Sequence, residues 1–208
     1  ALENGLQPNS LILDAPFVLD QGKALGKWKP ENYGKKFYGP STLRKGIENS
    51  RNLMTIRIAQ YLGMDRIIEL AERTNIMSNM SPVLSMALGA GETSLIKLTS
   101  AYASLANGGK KVEASLIDRI QDRRGKNIFI LDQAICENCN QPYIEEYPKP
   151  KVVSKSKIIF DEINAYQMVS ILKGAVDRGT GRKTKIDGIE IAGKTGTTNN
   201  NTDAWFLG

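Results

Sequence analysis

Residues 189–198 read Ile189-Glu190-Ile191-Ala192-Gly193-Lys194-Thr195-Gly196-Thr197-Thr198. The pattern predicts a strand from Ile189 to Thr198, with a lysine and alternating hydroxyls toward its end. A lysine in that place can hold an anion or tune a nearby serine. Gly196 removes a side chain, so a substrate can lie against the strand edge. Free backbone N–H groups on such an edge can bind a substrate chain or an oxyanion. The plainer alternative is an ordinary edge strand with a solubilising lysine. Lys-Thr-Gly arises by chance in roughly 5% of chains this long, so it needs a partner before it carries a function.

That partner stands 144 residues earlier, as Ser50-Arg51-Asn52. A serine hydroxyl can relay a proton, and an asparagine amide can hold a substrate carbonyl. Alone, the triplet reads equally well as a helix cap, because Ser and Asn are favoured there. The order of the two elements is what matters. Ser-x-Asn followed by Lys-Thr-Gly, with Ser-x-x-Lys upstream of both, is a signature of serine acyl-transfer enzymes that react with β-lactams.

Composition narrows the chemistry. The chain has 208 residues and no histidine, which excludes Ser-His-Asp and Cys-His-Asn catalytic sets and histidine-ligated zinc. Acid–base work falls to Lys, Asp, Glu, Tyr or Cys. Hydrophobic residues make up 41%, enough to build a core for one domain. The net charge is +6, and its densest basic stretch, Arg119 to Lys126, contains Asp122. No basic, aromatic-interleaved motif accompanies it, so nucleic acid is not expected as a partner. An anionic polymer or a carboxylate-bearing substrate suits the charge. No run reaches the ~18 apolar residues of a membrane span. The chain opens on Ala1 without a signal peptide and reads as an excised segment.

Along the chain, the first forty residues are broken by turn formers into short extended pieces. Ser41 is expected to cap a helix over Thr42 to Glu48. A second helix is expected from Asn52 to Leu62, with Leu53, Ile56, Ala59 and Tyr61 near helical spacing and Gly63 ending it. Asp65 would cap a third through Thr74. Ser94 to Ala106 is the clearest helix, with Leu95, Leu98, Tyr102 and Leu105 on one face. Ser115 to Gln121 and Asn127 to Leu131 read as a hairpin turned by Asp122-Arg123-Arg124-Gly125. Residues 132 to 157 read as a polar surface insertion carrying both cysteines. Asp161 would cap a helix to about Val176, with Ile163, Met168, Leu172 and Val176 inward. Gly179-Thr180-Gly181 reads as a loop, and Ala204 to Leu207 as a strand.

Further stretches carry a family resemblance from end to end. They include Ala1-Leu2-Glu3-Asn4-Gly5, Gly39-Pro40-Ser41-Thr42-Leu43-Arg44 and Leu88-Gly89-Ala90-Gly91-Glu92-Thr93-Ser94. Leu98-Thr99-Ser100-Ala101-Tyr102-Ala103, Asn107-Gly108-Gly109, Arg178-Gly179-Thr180-Gly181 and Thr202-Asp203-Ala204-Trp205-Phe206 continue the order. Together they resemble part of the transpeptidase domain of class A penicillin-binding proteins, most like the Gram-negative type 1A members. In that family Arg51 stands where the related β-lactamase motif has Asp.

The resemblance implies an α/β fold, an antiparallel sheet flanked by helices, incomplete at both ends and occupying residues 1–208. It implies a serine D,D-transpeptidase of the periplasmic side of the bacterial inner membrane, part of cell-wall synthesis, acting on peptidoglycan stem peptides and trapped by β-lactam antibiotics. Ser50 would assist proton transfer, and Asn52 would bind the donor's amide. Lys194 would hydrogen-bond Ser50 and add positive potential. Thr195 and Thr197 would hold the terminal carboxylate, and the Thr197 N–H would supply half an oxyanion hole. Gly196 and Thr198 complete the substrate-binding strand. No cofactor and no metal are implied. A D,D-carboxypeptidase and a non-catalytic penicillin-binding-like module remain the alternatives.

One part of the family pattern is missing. No Ser-x-x-Lys precedes Ser50, and the later matches, Ser94/Lys97, Ser154/Lys157 and Ser170/Lys173, fall out of order. The nucleophile is expected shortly upstream of residue 1, with the glycosyltransferase domain and membrane anchor further upstream. These 208 residues alone are then expected to be inactive, with unpaired sheet edges that invite self-association. Ser50, Asn52 and Lys194 are expected to converge on one cleft. Cys136 and Cys139 are open to three readings: a local disulfide suited to the periplasm, free thiols, or a metal site.

Overall fold

The computed structural model describes residues 1–23, 26–131, 133–141, 148–198 and 202–208. The turn-rich opening supplies four short strands, β1 (Leu11–Asp14), β2 (Leu19–Asp20), β3 (Lys27–Trp28) and β4 (Gly39–Thr42). β1 pairs antiparallel with β4, and β2 with β3. Ser41 sits inside β4 opposite Ile12, so it is not the helix cap. Thr42 takes that role: its Oγ1 accepts from Lys45 N at 3.2 Å and starts α1 (Leu43–Glu48).

α2 (Asn52–Leu62) ends at Gly63, whose φ of 84° a residue with a side chain rarely adopts. The same glycine starts α3 (Met64–Arg73), so Asp65 lies in the first turn rather than at the cap. There its charge complements the helix dipole. α4 (Leu95–Ala106) follows, with Ala101 and Ser104 as its buried positions and Leu95 half-exposed.

β5 (Arg119–Gln121) and β6 (Asn127–Ile130) form the expected hairpin. Its turn is closed by Asp122, whose Oδ1 accepts from Arg124 N and Lys126 N at 2.8 and 2.9 Å. The first strand is shorter than expected because Ser115 bonds locally to Ile117 through its hydroxyl. Within 132–157, β7 (Ile135–Glu137) pairs with β8 (Lys151–Val153). Positions 132 and 142–147 of that stretch lie outside the described residues. Cys136 and Cys139 are bridged, with Cα atoms 5.7 Å apart.

Asp161 caps α5 (Glu162–Asp177), its Oδ1 accepting from Ile163 N and Asn164 N. Ile163 is exposed, contrary to its expected inward place; the first turn of α5 lies at the surface. The expected strand over 189–198 shortens to β9 (Lys194–Thr197). Ile189 pairs instead with Ile186 across a turn, folding that backbone onto itself. β9 pairs antiparallel with β10 (Ala204–Leu207), Lys194 opposite Leu207.

The core lies where α1, α2 and α5 meet. Leu43, Leu53, Met54, Ile56 and Ala59 are buried with Ile171, Leu172, Ala175 and Val176. Tyr61 does not join them and is exposed. Phe17 packs on Leu53 and Ile56, and its ring meets Trp28 edge-on at 6.4 Å. Gly193 N donates to Leu172 O at 3.2 Å and ties the approach to β9 onto α5. Among the described residues, no helix is long and apolar enough to cross a membrane.

Candidate active site

The site begins with the way α1 stops. Ser50 N donates to Ile47 O at 3.1 Å, and Arg51 N to Gly46 O at 2.8 Å. This is a Schellman ending, in which the residue after the cap is left-handed and usually glycine. Here it is Ser50, at φ 53°. A serine in that conformation costs roughly 1–2 kcal/mol against glycine. Ser50 is therefore not the helix N-cap that its residue type suggests; it is a hydroxyl held on a strained corner between two helices.

Lys194, at the start of β9, reaches that corner. Its Nζ donates to Ser50 Oγ at 3.0 Å and to Thr195 O at 2.8 Å. Desolvation by burial holds the Lys194 ammonium below the usual lysine range. Asn52 opens α2, and its Nδ2 donates to Glu31 O at 2.9 Å. The neighbouring Leu53 N donates to Asn32 Oδ1, so the 31–32 loop braces this helix start. That contact uses one N–H of the Asn52 amide, and its second N–H and its carbonyl oxygen can each bond another group. Arg51, the residue that departs from Ser-Asp-Asn, lays its guanidinium over the Tyr38 ring at 3.4 Å.

On β9, Thr195 Oγ1 shares a hydrogen bond of 2.8 Å with Thr180 Oγ1. A side chain added at Gly196 would meet nothing within 4 Å, so open space lies over the strand there. Thr197 is exposed. Thr198 lies past the strand, where its hydroxyl bonds Thr202 Oγ1 and accepts from Asp203 N. It closes the β9–β10 connection, whose positions 199–201 lie outside the described residues. β9 has one paired edge, toward β10, and among the described residues no strand covers the other.

Sequence reading missed three residues beside this site. Glu48, two positions before Ser50, is buried, with 3% of the residue exposed. Arg178 clamps it with both guanidinium arms: Nε donates to Oε2 at 2.9 Å, and Nη2 to Oε1. Thr180 N donates to Glu48 O at 3.0 Å. Gly179-Thr180-Gly181 reads as a loop and Arg178 to Gly181 as a family-like stretch, but nothing in one sequence links Arg178 to Glu48, 130 residues away.

Known proteins resemble the chain along its whole length. The model of the penicillin-binding protein transpeptidase domain matches residues 1–208. Penicillin-binding protein 1A of Rickettsia conorii is 44% identical over the whole chain, which spans 27% of that relative. Penicillin-binding protein 1A of Neisseria flavescens is 37% identical over the whole chain, which covers 24% of it. The crystal structure of penicillin-binding protein 1A from Haemophilus influenzae superposes with a TM-score of 0.80 at 31% identity. That alignment covers 99% of this chain and 33% of the other. The Mycobacterium tuberculosis PonA1 protein in complex with penicillin V shares the fold at 19% identity, TM-score 0.74, over 99% of this chain and 53% of its own. The chain belongs to the penicillin-binding protein transpeptidase domain family.

Proposed function

We propose that the protein carrying this chain is a serine D,D-transpeptidase that cross-links peptidoglycan and is acylated by β-lactams, working on the periplasmic side of the inner membrane. The observation that carries the reading is the 3.0 Å contact of Lys194 Nζ with Ser50 Oγ, between residues 144 apart in sequence. Family membership supports it, as do relatives whose structures hold penicillin V or an imipenem acyl-enzyme.

The donor stem peptide lies along the open edge of β9, where backbone groups pair with it and Gly196 gives it room. Thr195 and Thr197 bind its terminal carboxylate, and Lys194 adds positive potential. A serine Oγ attacks the carbonyl carbon of the penultimate D-Ala, and the Thr197 N–H supports the developing oxyanion. The bond to the terminal D-Ala nitrogen then breaks. Ser50 passes its proton to that nitrogen and takes up the one released by the attacking hydroxyl, so D-Ala leaves as an amine and an acyl-enzyme ester remains. An acceptor amine attacks the ester, the cross-linking amide forms, and the serine oxygen regains its proton. Asn52 binds the donor's amide through its side-chain amide.

Residues 1–208 supply the binding and proton-relay half of this chemistry, and the nucleophile is a serine outside them. Ser94 stands at the start of α4, Ser154 accepts from Ser156 N, and Ser170 faces the Arg44 guanidinium. Among the described residues, Lys194 bonds no serine hydroxyl but that of Ser50. The test is incubation of the full-length protein and of residues 1–208 with a fluorescent penicillin, followed by peptide mapping. An adduct on the full-length protein at a serine outside 1–208, and none on the isolated chain, is expected. A heat-sensitive stoichiometric adduct within 1–208 contradicts it. Mass analysis of stem-peptide products separates cross-linking from simple hydrolysis to the carboxypeptidase product.

A further inference from the structure

We propose that Glu48, Arg178 and Thr180 form a clasp that sets the Ser50 corner against strand β9, making all three positioning residues for acyl transfer. The inference rests on the reading of this site as an acyl-transfer site and adds a device that neither motif contains.

The geometry has two strands of support. The first is electrostatic. Glu48 ends α1 two residues before Ser50, and its carboxylate is buried against Arg178, with Arg44 Nη1 3.7 Å from Oε1. Arg178 follows the last residue of α5. The pair therefore locks the end of α1 to the end of α5. A bidentate guanidinium–carboxylate fork fixes orientation as well as distance.

The second is a backbone relay. Glu48 O accepts from Thr180 N at 3.0 Å, and Thr180 Oγ1 bonds Thr195 Oγ1 at 2.8 Å. A chain of contacts thus runs from the residue before the Ser50 turn to the residue after Lys194. Two glycines make room for it. A Cβ at Gly174 would lie 2.0 Å from Glu48 Oε1, and one at Gly179 would lie 2.1 Å from Glu48 O. At Gly179 the backbones approach more closely than a side chain permits, and at Gly174 the Glu48 carboxylate occupies the space.

The need for such a device follows from the contact it serves. The Lys194–Ser50 hydrogen bond joins a strained turn to a strand that comes from far along the chain. A misplacement of about 1 Å in a reacting geometry can cost a hundredfold in rate. The clasp holds both ends of that contact to the same two helix termini. It also engages the Thr195 hydroxyl on β9.

The experiment uses the full-length protein and a fluorescent penicillin, separating the acylation rate constant from the apparent dissociation constant of the encounter complex. Glu48→Gln keeps the side-chain volume and removes the charge that Arg178 grips. Its acylation rate constant is expected to fall ten- to hundredfold, with the dissociation constant within about threefold of the parent. Thr180→Val removes the hydroxyl at constant shape and is expected to slow acylation about tenfold. Thr180→Ser, which restores the hydroxyl, is expected to recover most of that loss, which a purely space-filling role would not produce.

If Glu48→Gln does not fold, the Thr180 pair decides the matter. A folded Glu48→Gln that acylates within twofold of the parent overturns the proposal, and so does a Thr180→Val that does so. Absence of any adduct on the parent protein defeats the underlying reading instead, and the two failures are thereby distinct.

Discussion

The α1–α2–α5 block and the β5–β6 and β7–β8 hairpins are built by opposite means. In the block, Leu53, Ile56, Ala165, Ile171 and Ala175 have no exposed surface at all, and α1 packs on α5, more than a hundred residues away in sequence. In the hairpins, pairing is local, and Ile128, Phe129, Ile130, Ile135 and Val152 all face solvent. Ser50 follows α1 of the block, and Lys194 reaches it from β9, which Gly193 ties to α5; the β5–β6 and β7–β8 hairpins hold none of the residues that meet there. The chemistry therefore sits where long-range packing makes position expensive to change, and the hairpins are free to vary without disturbing it.

The largest effect that sharpens this contrast is expected at Leu53→Ala. Removing that buried side chain should destabilise the domain by about 2–5 kcal/mol in denaturant unfolding, because the tight surroundings relax only partly. Ser50→Gly should move stability the other way, by about +1 kcal/mol, since glycine carries no penalty in the left-handed corner. The same substitution should abolish acylation, so stability and function separate at one position. Ile128→Ala, in the exposed hairpin, should fall within about 0.5 kcal/mol of the parent. A Leu53→Ala loss no larger than that at Ile128 would erase the distinction between the two regions.

Much of this was legible from residue types alone. Asp161, Asp122 and Gly63 act as their chemistry predicts, because capping and turning are local events. The pairing of Ser50 with Lys194 is what the family resemblance implies. What escaped the sequence was non-local or conformational. Thr42 rather than Ser41 caps α1 because β1 claims Ser41 as a ladder partner. Tyr61 and Ile163 fit the helical period yet face solvent, since among the described residues no element covers those parts of α2 and α5. The strain at Ser50 depends on the Schellman ending, and the Glu48–Arg178 pair on a meeting of helix ends. Neither leaves a pattern in the neighbouring residues.

Lys194 also gives the site a pH signature. Burial depresses its pKa from the ordinary 10.5. The ammonium is the form that donates to Ser50 and Thr195, so acylation that depends on it is full below the depressed value and falls as pH rises through it. The alkaline limb should therefore lie below 10.5. Lys194→Arg, whose guanidinium stays charged beyond pH 12, should remove that limb from whatever activity it retains. An unchanged limb in the arginine variant would assign it to another group.

The most direct test of the account is the acylation rate of the full-length protein carrying Lys194→Ala, measured beside the parent at neutral pH with unfolding curves for both. Loss of the Ser50 contact and of the charge over β9 should slow acylation by at least about a hundredfold, in the range of a lost preorganised electrostatic group, while the domain stays folded. A folded Lys194→Ala protein that acylates within about threefold of the parent would contradict the assignment of the Lys194–Ser50 pair as the centre of the site.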